Sequence, residues 1–520
     1  MKKATFLGLF LLVLAGALVF RTAGLGLRPM HHDEANQAVK FGALLEKGEY
    51  RYDRGDHHGP SLYYLTLPLV QAAGRHTLAS LDETVLRLVP ALFGAATLLI
   101  FLLFLRSAGA GAVLASGIFL AVSPAAVYYS RFYIQETILV FFIAAFLASV
   151  WRYVLNPTWG WAAAAGLCAG MMYATKETSV IAFGAVAGGL VFTLLSGRKD
   201  REARGKNGRF RVWHLLPALA AALAVAGLLF SSFLSHPQGI LDSILSFRIY
   251  IARGSEAGWH SYPWFHYLGL LAFSRFGASA PWWSEAIILF LALIGGLAAF
   301  RRGKLDKPGP SFPRFVLFYA VISTVAYSLL PYKTPWNLLP FYLGLILLAG
   351  IGTDRVLGIL KPNAFRAAAL VVISAGVIHL GVQSYRANFK DFADPRNPYV
   401  YAQTSLDFMK LIKRVDDLAA VHPARKEMLI EVVAGPYEIW PLPWYLRSYA
   451  SVGYWQDAER AAAPSTAAVV ISSMDQEEKL QPRLGQGFHS EYYGLRPEVV
   501  LALYVRNDLW ERYTTKKAGK

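Results

Sequence analysis

Residues 84–150 read TVLRLVPALFGAATLLIFLLFLRSAGAGAVLASGIFLAVSPAAVYYSRFYIQETILVFFIAAFLASV, three apolar runs (84–105, 110–128 and 132–150) parted by short polar joints. Each run is near the length, about 17 to 25 residues, that a helix needs to cross the hydrocarbon core of a bilayer. Working outward, runs of the same kind recur at 4–22, 159–174, 178–196, 213–234, 284–300, 314–331, 336–352 and 364–384, about eleven in all. Composition agrees: 55% of the 520 residues are hydrophobic and 16% charged, with a mean hydropathy of +0.37. That is too apolar for an ordinary soluble chain. The sequence therefore predicts a polytopic α-helical membrane protein.

The formal charge of +17 could suggest a nucleic-acid partner, but in so apolar a chain it is better explained by connections biased towards lysine and arginine on the cytoplasmic side. No nucleic acid is expected. Alternate connections carry the charge: Arg106; Arg152; the tract from Arg198 to Arg211; Arg301, Arg302, Lys304, Lys307 and Arg314; then Arg355, Lys361 and Arg366. This parity places the N-terminus inside and, after eleven crossings, the C-terminus outside a cell (inner) membrane. The first run follows Lys2 and Lys3; Ala15-Gly16-Ala17 could be a signal-peptide cleavage site, but the apolar run continues to Phe20, which favours a retained helix. Residues 262–282 (YPWFHYLGLLAFSRFGASAPW) are apolar but broken by Arg275 and prolines, and read as an external amphipathic or re-entrant piece. The single cysteine, Cys168, excludes an intramolecular disulfide and a CxxC metal pair.

Two divisions follow: a membrane domain, residues 1–385, with a large external loop at 28–83, and an external tail, residues 386–520. In the loop, residues 33–47 (DEANQAVKFGALLEK) pattern as a helix lying along the membrane surface, and 61–73 (SLYYLTLPLVQAA), with Pro68, as an interfacial piece. The tail shows helical spacing over 401–419 and β-rich runs at 428–434, 467–472 and 498–505, a small extracytoplasmic α/β domain.

Polar chemistry gathers at the external ends of the runs. His31-His32-Asp33-Glu34 offers carboxylates that could act as a general base on an acceptor hydroxyl or amine; equally, Asp33 could cap the following helix, with Glu34 favoured by its dipole. Asp56-His57-His58-Gly59-Pro60 adds imidazoles that could bind a phosphate or, with Asp33, a divalent cation; the spacing matches no closed zinc motif. In Ser130-Arg131-Phe132-Tyr133-Ile134-Gln135-Glu136, an arginine and a carboxylate stand near the apolar boundary, where they pair with each other or serve a site. Thr175-Lys176-Glu177 has the same character, with lysine and glutamate able to neutralise each other. Lys333, followed by Trp336, is placed either to meet a lipid phosphate or to anchor the interface.

Taken together these motifs resemble the GT-C membrane glycosyltransferases, which include protein O-mannosyltransferases and lipid A aminoarabinose transferases. His31-His32-Asp33-Glu34-Ala35, Asp394-Pro395-Arg396-Asn397-Pro398 and Trp440-Pro441-Leu442-Pro443-Trp444-Tyr445-Leu446-Arg447 are similar to a prokaryotic branch named flippase-activity-associated proteins. The resemblance spans most of the chain. It implies a bundle of about eleven to thirteen transmembrane helices, an external site, a polyprenyl-phosphate sugar donor, a protein, lipid or glycan acceptor and inversion at the sugar carbon. By position it assigns Asp33 and Glu136 to acidic catalytic positions, with Glu34 beside them, and Lys333 to the late basic position. The resulting expectation is that Asp33 accepts the acceptor's proton, Glu136 organises the pocket, and His57, His58, Arg131, Lys176 and Lys333 hold donor phosphate or sugar. Trp440, Trp444, Tyr445 and Arg447 would bind an acceptor by stacking, or form a lid. Where the aminoarabinose transferases carry lysine before a Pro-Pro pair, this chain has His57-His58-Gly59-Pro60, a weaker phosphate partner. A flippase of lipid-linked sugars and a non-catalytic partner of a glycosylation system are the alternatives; the near absence of charge within the long runs favours the enzyme.

Overall fold

All eleven apolar runs fold as helices in the computed structural model, which describes residues 2–55, 58–196, 210–255, 260–277, 279–300, 311–462 and 464–519. Among the described residues, eight helices are long and apolar enough to cross a membrane, or nine if one bent pair counts as a single span. The chain is a multi-pass membrane protein. The first crossing helix, α1, is Lys3–Thr22. The bent pair is Ala110–Val122 and Pro124–Ser130, which meet at 61°. Two runs give shorter helices, Trp159–Tyr173 and Ala286–Ala298, so the expected eleven full crossings become eight or nine of full length plus these two. Most of the basic tract at 198–211, and Arg301 to Lys307, lie outside the described residues.

The helix Leu339–Ile359 is the hub, buried from Leu339 to Thr353 except at Leu345. Gly350 and Gly352 let it approach its neighbours closely: a Cβ at Gly350 would lie 2.0 Å from Ser116 Oγ, and one at Gly352 2.0 Å from the Leu291 carbonyl. Small residues at such contacts are how helices gain packing where lipid is no less apolar than the partner. Around the outside, Leu216, Leu219, Leu223, Val371 and Val372 stay exposed, as lipid-facing side chains must.

Helix ends at one end of the bundle are closed by buried charges. Arg21 donates to the Leu120 carbonyl at 2.8 Å, covering the C-terminal end of Ala110–Val122. Glu285 accepts the Ala125 amide at 2.9 Å, at the N-terminus of Pro124–Ser130, and is held by Tyr342 and Tyr399. Cation at a C-terminus and anion at an N-terminus is the arrangement that the helix dipole favours.

At that same end lie α2, His32–Lys47, and α3, Ser61–Ala72. α2 packs closely against protein. Glu34, Gln37, Ala38, Phe41 and Leu44 are all buried, and Gln37 accepts hydrogen bonds from Tyr63 and from Gln135, the latter at 3.0 Å. Polar and apolar faces both meet protein, which hydrophobic periodicity alone does not reveal. The next crossing helix is α4, Glu83–Phe101. Within 262–282 the chain forms a seven-residue helix, His266–Ala272, after which Ser274 pairs antiparallel with Trp283; among the described residues no helix there is long enough to cross a membrane.

From Phe408 onward, side chains form buried clusters of their own. The helix Leu406–Ala419, capped by Ser405, covers a five-stranded sheet in the order β2-β1-β3-β5-β4. The strands are β1 Ile430–Val433, β2 Val452–Trp455, β3 Val469–Ser473, β4 Phe488–Arg496 and β5 Val499–Arg506. β1 runs parallel to both β2 and β3, while β5 is antiparallel to β3 and β4. The three expected strands are β1, β3 and β5; β2 and β4 are additional.

Candidate active site

The tetrad His31 to Glu34 begins as a helix cap. The His31 ring accepts the Asp33 amide through Nδ1 at 3.1 Å, and Glu34 returns to accept the His31 amide at 3.0 Å, the reciprocal pairing of a capping box. Glu34 then turns inward to Arg87 of α4, which donates to both carboxylate oxygens at 2.7 Å. The Tyr133 amide adds a bond at 2.8 Å, and Arg28 stands 3.7 Å away. Both Glu34 and Arg87 are fully buried. Burial pushes the Glu34 carboxyl up, but Arg87, Arg28 and these hydrogen bonds outweigh it and bring it down to about 2. The catalytic role expected for Glu34 is therefore corrected: it is a sealed ion pair that fixes the segment carrying Asp33, too weak a base and too enclosed to meet a substrate.

Asp33 is the opposite case. Its side chain stays 43% exposed, with Oδ2 3.8 Å from His31 Nδ1. Burial pushes its carboxyl up, while His31, His32, His58 and Lys176 pull it down further, so it lies below the usual range. It is an accessible carboxylate in a ring of cationic and imidazole groups.

His58 and Lys176 reach this ring because two loops interlock. Ser61 donates its amide to the Ala174 carbonyl at 2.9 Å and shares a 2.8 Å bond with Thr175 Oγ1. Between them Gly59 is indispensable, since a Cβ there would lie 2.2 Å from the Ala174 carbonyl oxygen. His58 consequently meets Glu177 at 2.9 Å and stacks on Tyr250. Lys176 pairs with Glu136, so the expected neutralisation of Lys176 by Glu177 is corrected: each finds another partner. Glu136 is 4% exposed, and its Oε2 has no hydrogen-bond partner among the described residues. It is closed off from solvent and holds Lys176. His57 lies outside the described residues.

Arg131 is likewise reassigned. Its guanidinium donates to the carbonyls of Phe20 at 2.9 Å, Ala23 at 2.6 Å and Gly24 at 3.0 Å, and lies over the Phe389 ring. It caps the C-terminal end of α1 and is not available to a phosphate. Lys333 is buried, with its Nζ on the Leu330 carbonyl and its amide on the His260 carbonyl; burial lowers its pKa.

His260 and Tyr401, hydrogen-bonded to each other, are site residues that sequence reasoning missed. Asp33 raises the His260 pKa against a larger lowering by burial, which marks the two as neighbours. Tyr401 also presents its carbonyl to His31 Nε2 at 3.0 Å and its ring to Trp336 at 5.7 Å. No local pattern marks a residue 370 positions from its partner.

Three of the four expected acceptor-binding residues fasten the tail to loop 28–83 instead. Trp444 donates to Glu83 at 2.8 Å, Tyr445 accepts the Met30 amide at 2.9 Å, and Arg447 donates to the Leu81 carbonyl at 2.6 Å while stacking on Trp444. Trp440 differs: its ring lies 6.0 Å from His32, beside Asp33, with the exposed Tyr437 6.4 Å away on the same imidazole. Among the described residues no group of three His, Cys, Asp or Glu side chains could hold a metal ion; of the expected Asp33–His57–His58 set, His57 lies outside the described residues.

Residues 61–235 match the model of the dolichyl-phosphate-mannose-protein mannosyltransferase family. No curated protein sequence matches the chain. Among solved structures it is similar to ArnT from Cupriavidus metallidurans bound to undecaprenyl phosphate, at 18% identity and a TM-score of 0.63, covering 95% of this chain and 98% of that one. It is also similar to the archaeal oligosaccharyltransferase AglB from Archaeoglobus fulgidus, in complex with an inhibitory peptide and a dolichol-phosphate, at 12% identity and a TM-score of 0.58, covering 98% and 77%.

Proposed function

From the premise that the chain has the GT-C membrane glycosyltransferase fold, we propose that it transfers a sugar from a polyprenyl-phosphate donor to a protein, lipid or glycan acceptor at the external face of the cell membrane, with Asp33 as general base. One observation carries the assignment. Of the carboxylates gathered here, Glu34, Glu136 and Glu177 are each buried against a basic partner, whereas Asp33 remains ionised and accessible. ArnT, similar over nearly its whole length, binds undecaprenyl phosphate, which supports the donor class.

In this reading the acceptor hydroxyl or amine attacks the anomeric carbon from the face opposite the leaving group. Its bond to that carbon forms as the carbon–oxygen bond to phosphate breaks, inverting the centre. The proton passes to Asp33, and the electron pair leaves with the polyprenyl phosphate. Lys176, held by Glu136, and Lys333 place positive charge where the phosphate departs; Lys333 would exchange its carbonyl contact for the phosphate. The parity of basic connections puts the N-terminus in the cytoplasm and residues 386–520 outside, as a second domain on the membrane domain of residues 1–385.

Transfer of radiolabelled sugar from a polyprenyl-phosphate pool in membranes tests the proposal. Wild-type protein should label envelope acceptors, and Asp33→Asn, at matched membrane levels, should not. Equal labelling would remove Asp33 from catalysis, and none from either would return the flippase and partner readings.

A further inference from the structure

Residues 29–31, just before Asp33, are tied at each successive position to the tail. The Pro29 carbonyl accepts Gln403 Nε2 at 2.9 Å, the Met30 amide donates to Tyr445 Oη at 2.9 Å, and the Met30 carbonyl accepts Thr404 Oγ1 at 2.7 Å. The fourth tie is His31 Nε2 to the Tyr401 carbonyl at 3.0 Å. His31 is the step at which this chain of contacts reaches Asp33, because its other nitrogen accepts the Asp33 amide.

Two independent partners set the same form of the ring. An amide N–H can only donate, so Nδ1 must be bare; a carbonyl can only accept, so Nε2 must carry the proton. The ring is 3% exposed and wedged between Phe132 and Trp336, leaving it one orientation. On the tail side Ala402 has a φ of 45°, a left-handed conformation that is unfavourable for a non-glycine residue. It directs the Tyr401 carbonyl and the side chains of Gln403 and Thr404 onto one segment. Strain of this kind persists only where surrounding contacts over-determine it.

Building on the role of Asp33 as base, we propose that His31 is a positioning residue that transmits the seating of residues 401–404 to the Asp33 carboxylate, making the tail an integral part of the catalytic site. A capping residue alone would need only the Nδ1 contact. The Tyr401 contact adds a fixed tautomer and a fixed ring plane, and so a fixed start for α2. Displacement of a reacting group by about 1 Å costs on the order of a hundredfold in rate.

The test uses the full-length protein in lipid nanodiscs, with a polyprenyl-phosphate sugar as donor, measuring kcat and KM for His31→Ala, His31→Asn, Thr404→Val and Asp33→Asn alongside the unfolding midpoint. Asparagine keeps a capping oxygen but does not reach Tyr401. His31→Ala should lower kcat about tenfold to a hundredfold with KM for donor unchanged; His31→Asn should regain the midpoint but only part of kcat. Thr404→Val, which leaves the ring untouched, should lower kcat in the same direction. Full recovery of kcat in His31→Asn, or losses confined to KM or to the midpoint, would overturn the positioning role. Asp33→Asn separates the two layers: activity there defeats the base assignment itself, whereas inactivity there with wild-type kcat in both His31 variants defeats only the positioning role.

Discussion

Replacing Arg87 with methionine should unmask how the catalytic segment is held. The substitution removes both 2.7 Å bonds to Glu34 and the donors that hold the carbonyls of Leu25, Arg28 and Pro29. Glu34 is then left as a buried carboxylate with Arg28, 3.7 Å away, as its remaining cation. Breaking a buried pair from one side costs about 3–5 kcal/mol. The carboxyl itself is lowered from the ordinary 4.5 to about 2, with Arg87 the foremost of the attractions that outweigh its burial. Because the folded form has the lower pKa, this stability is present above pH 4.5 and is lost as pH falls towards about 2. Equilibrium unfolding in mixed micelles, followed by tryptophan fluorescence, would read the loss. A cycle with Glu34→Leu adds a direct check, since the double variant should lose less than the two single losses added together. A change below about 1 kcal/mol in Arg87→Met, or single losses that simply add in the double variant, would refute the reasoning.

Arg131→Lys should lower the unfolding midpoint while leaving KM for donor unchanged, because lysine cannot reproduce the fork over the end of α1; raised KM at constant midpoint would restore Arg131 to the phosphate. Gly59→Ala should part the two interlocked loops, reducing both stability and transfer, as the added Cβ falls 2.2 Å from the Ala174 carbonyl oxygen; wild-type values in both assays would contradict the close approach. Trp444→Phe leaves Glu83 without its 2.8 Å donor and should cost about 1–3 kcal/mol, with faster limited proteolysis within 386–520; an unchanged digestion pattern would count against the fastening role.

The bundle was legible because a bilayer imposes length and apolarity on every crossing, and all eleven runs became helices. Composition could not show that Ala110–Ser130 bends by 61°, since Glu285 and Arg21, distant in sequence, stabilise the break. In the tail, β1 and β3 announced themselves as buried aliphatic runs. β2 is only Val452–Trp455, and β4, FHSEYYGLR, lies at the sheet edge with much of its length open, so neither carries a hydrophobic signature. Asp33 could be singled out from its motif and neighbours. Which carboxylate would be neutralised could not, because the partners are set by tertiary packing: Glu34 with Arg87, Glu136 with Lys176 and Glu177 with His58 are 53, 40 and 119 residues apart. The adjacent Lys176-Glu177 pair was the obvious sequence match, and the interlocked loops separated it.

The most direct measurement is donor binding set against turnover in one purified preparation. With a radiolabelled polyprenyl-phosphate sugar, the Asp33→Asn variant should bind donor with the wild-type Kd yet transfer no sugar, since its amide keeps the shape of the site and cannot take a proton. Turnover by the variant at the wild-type rate would contradict the account.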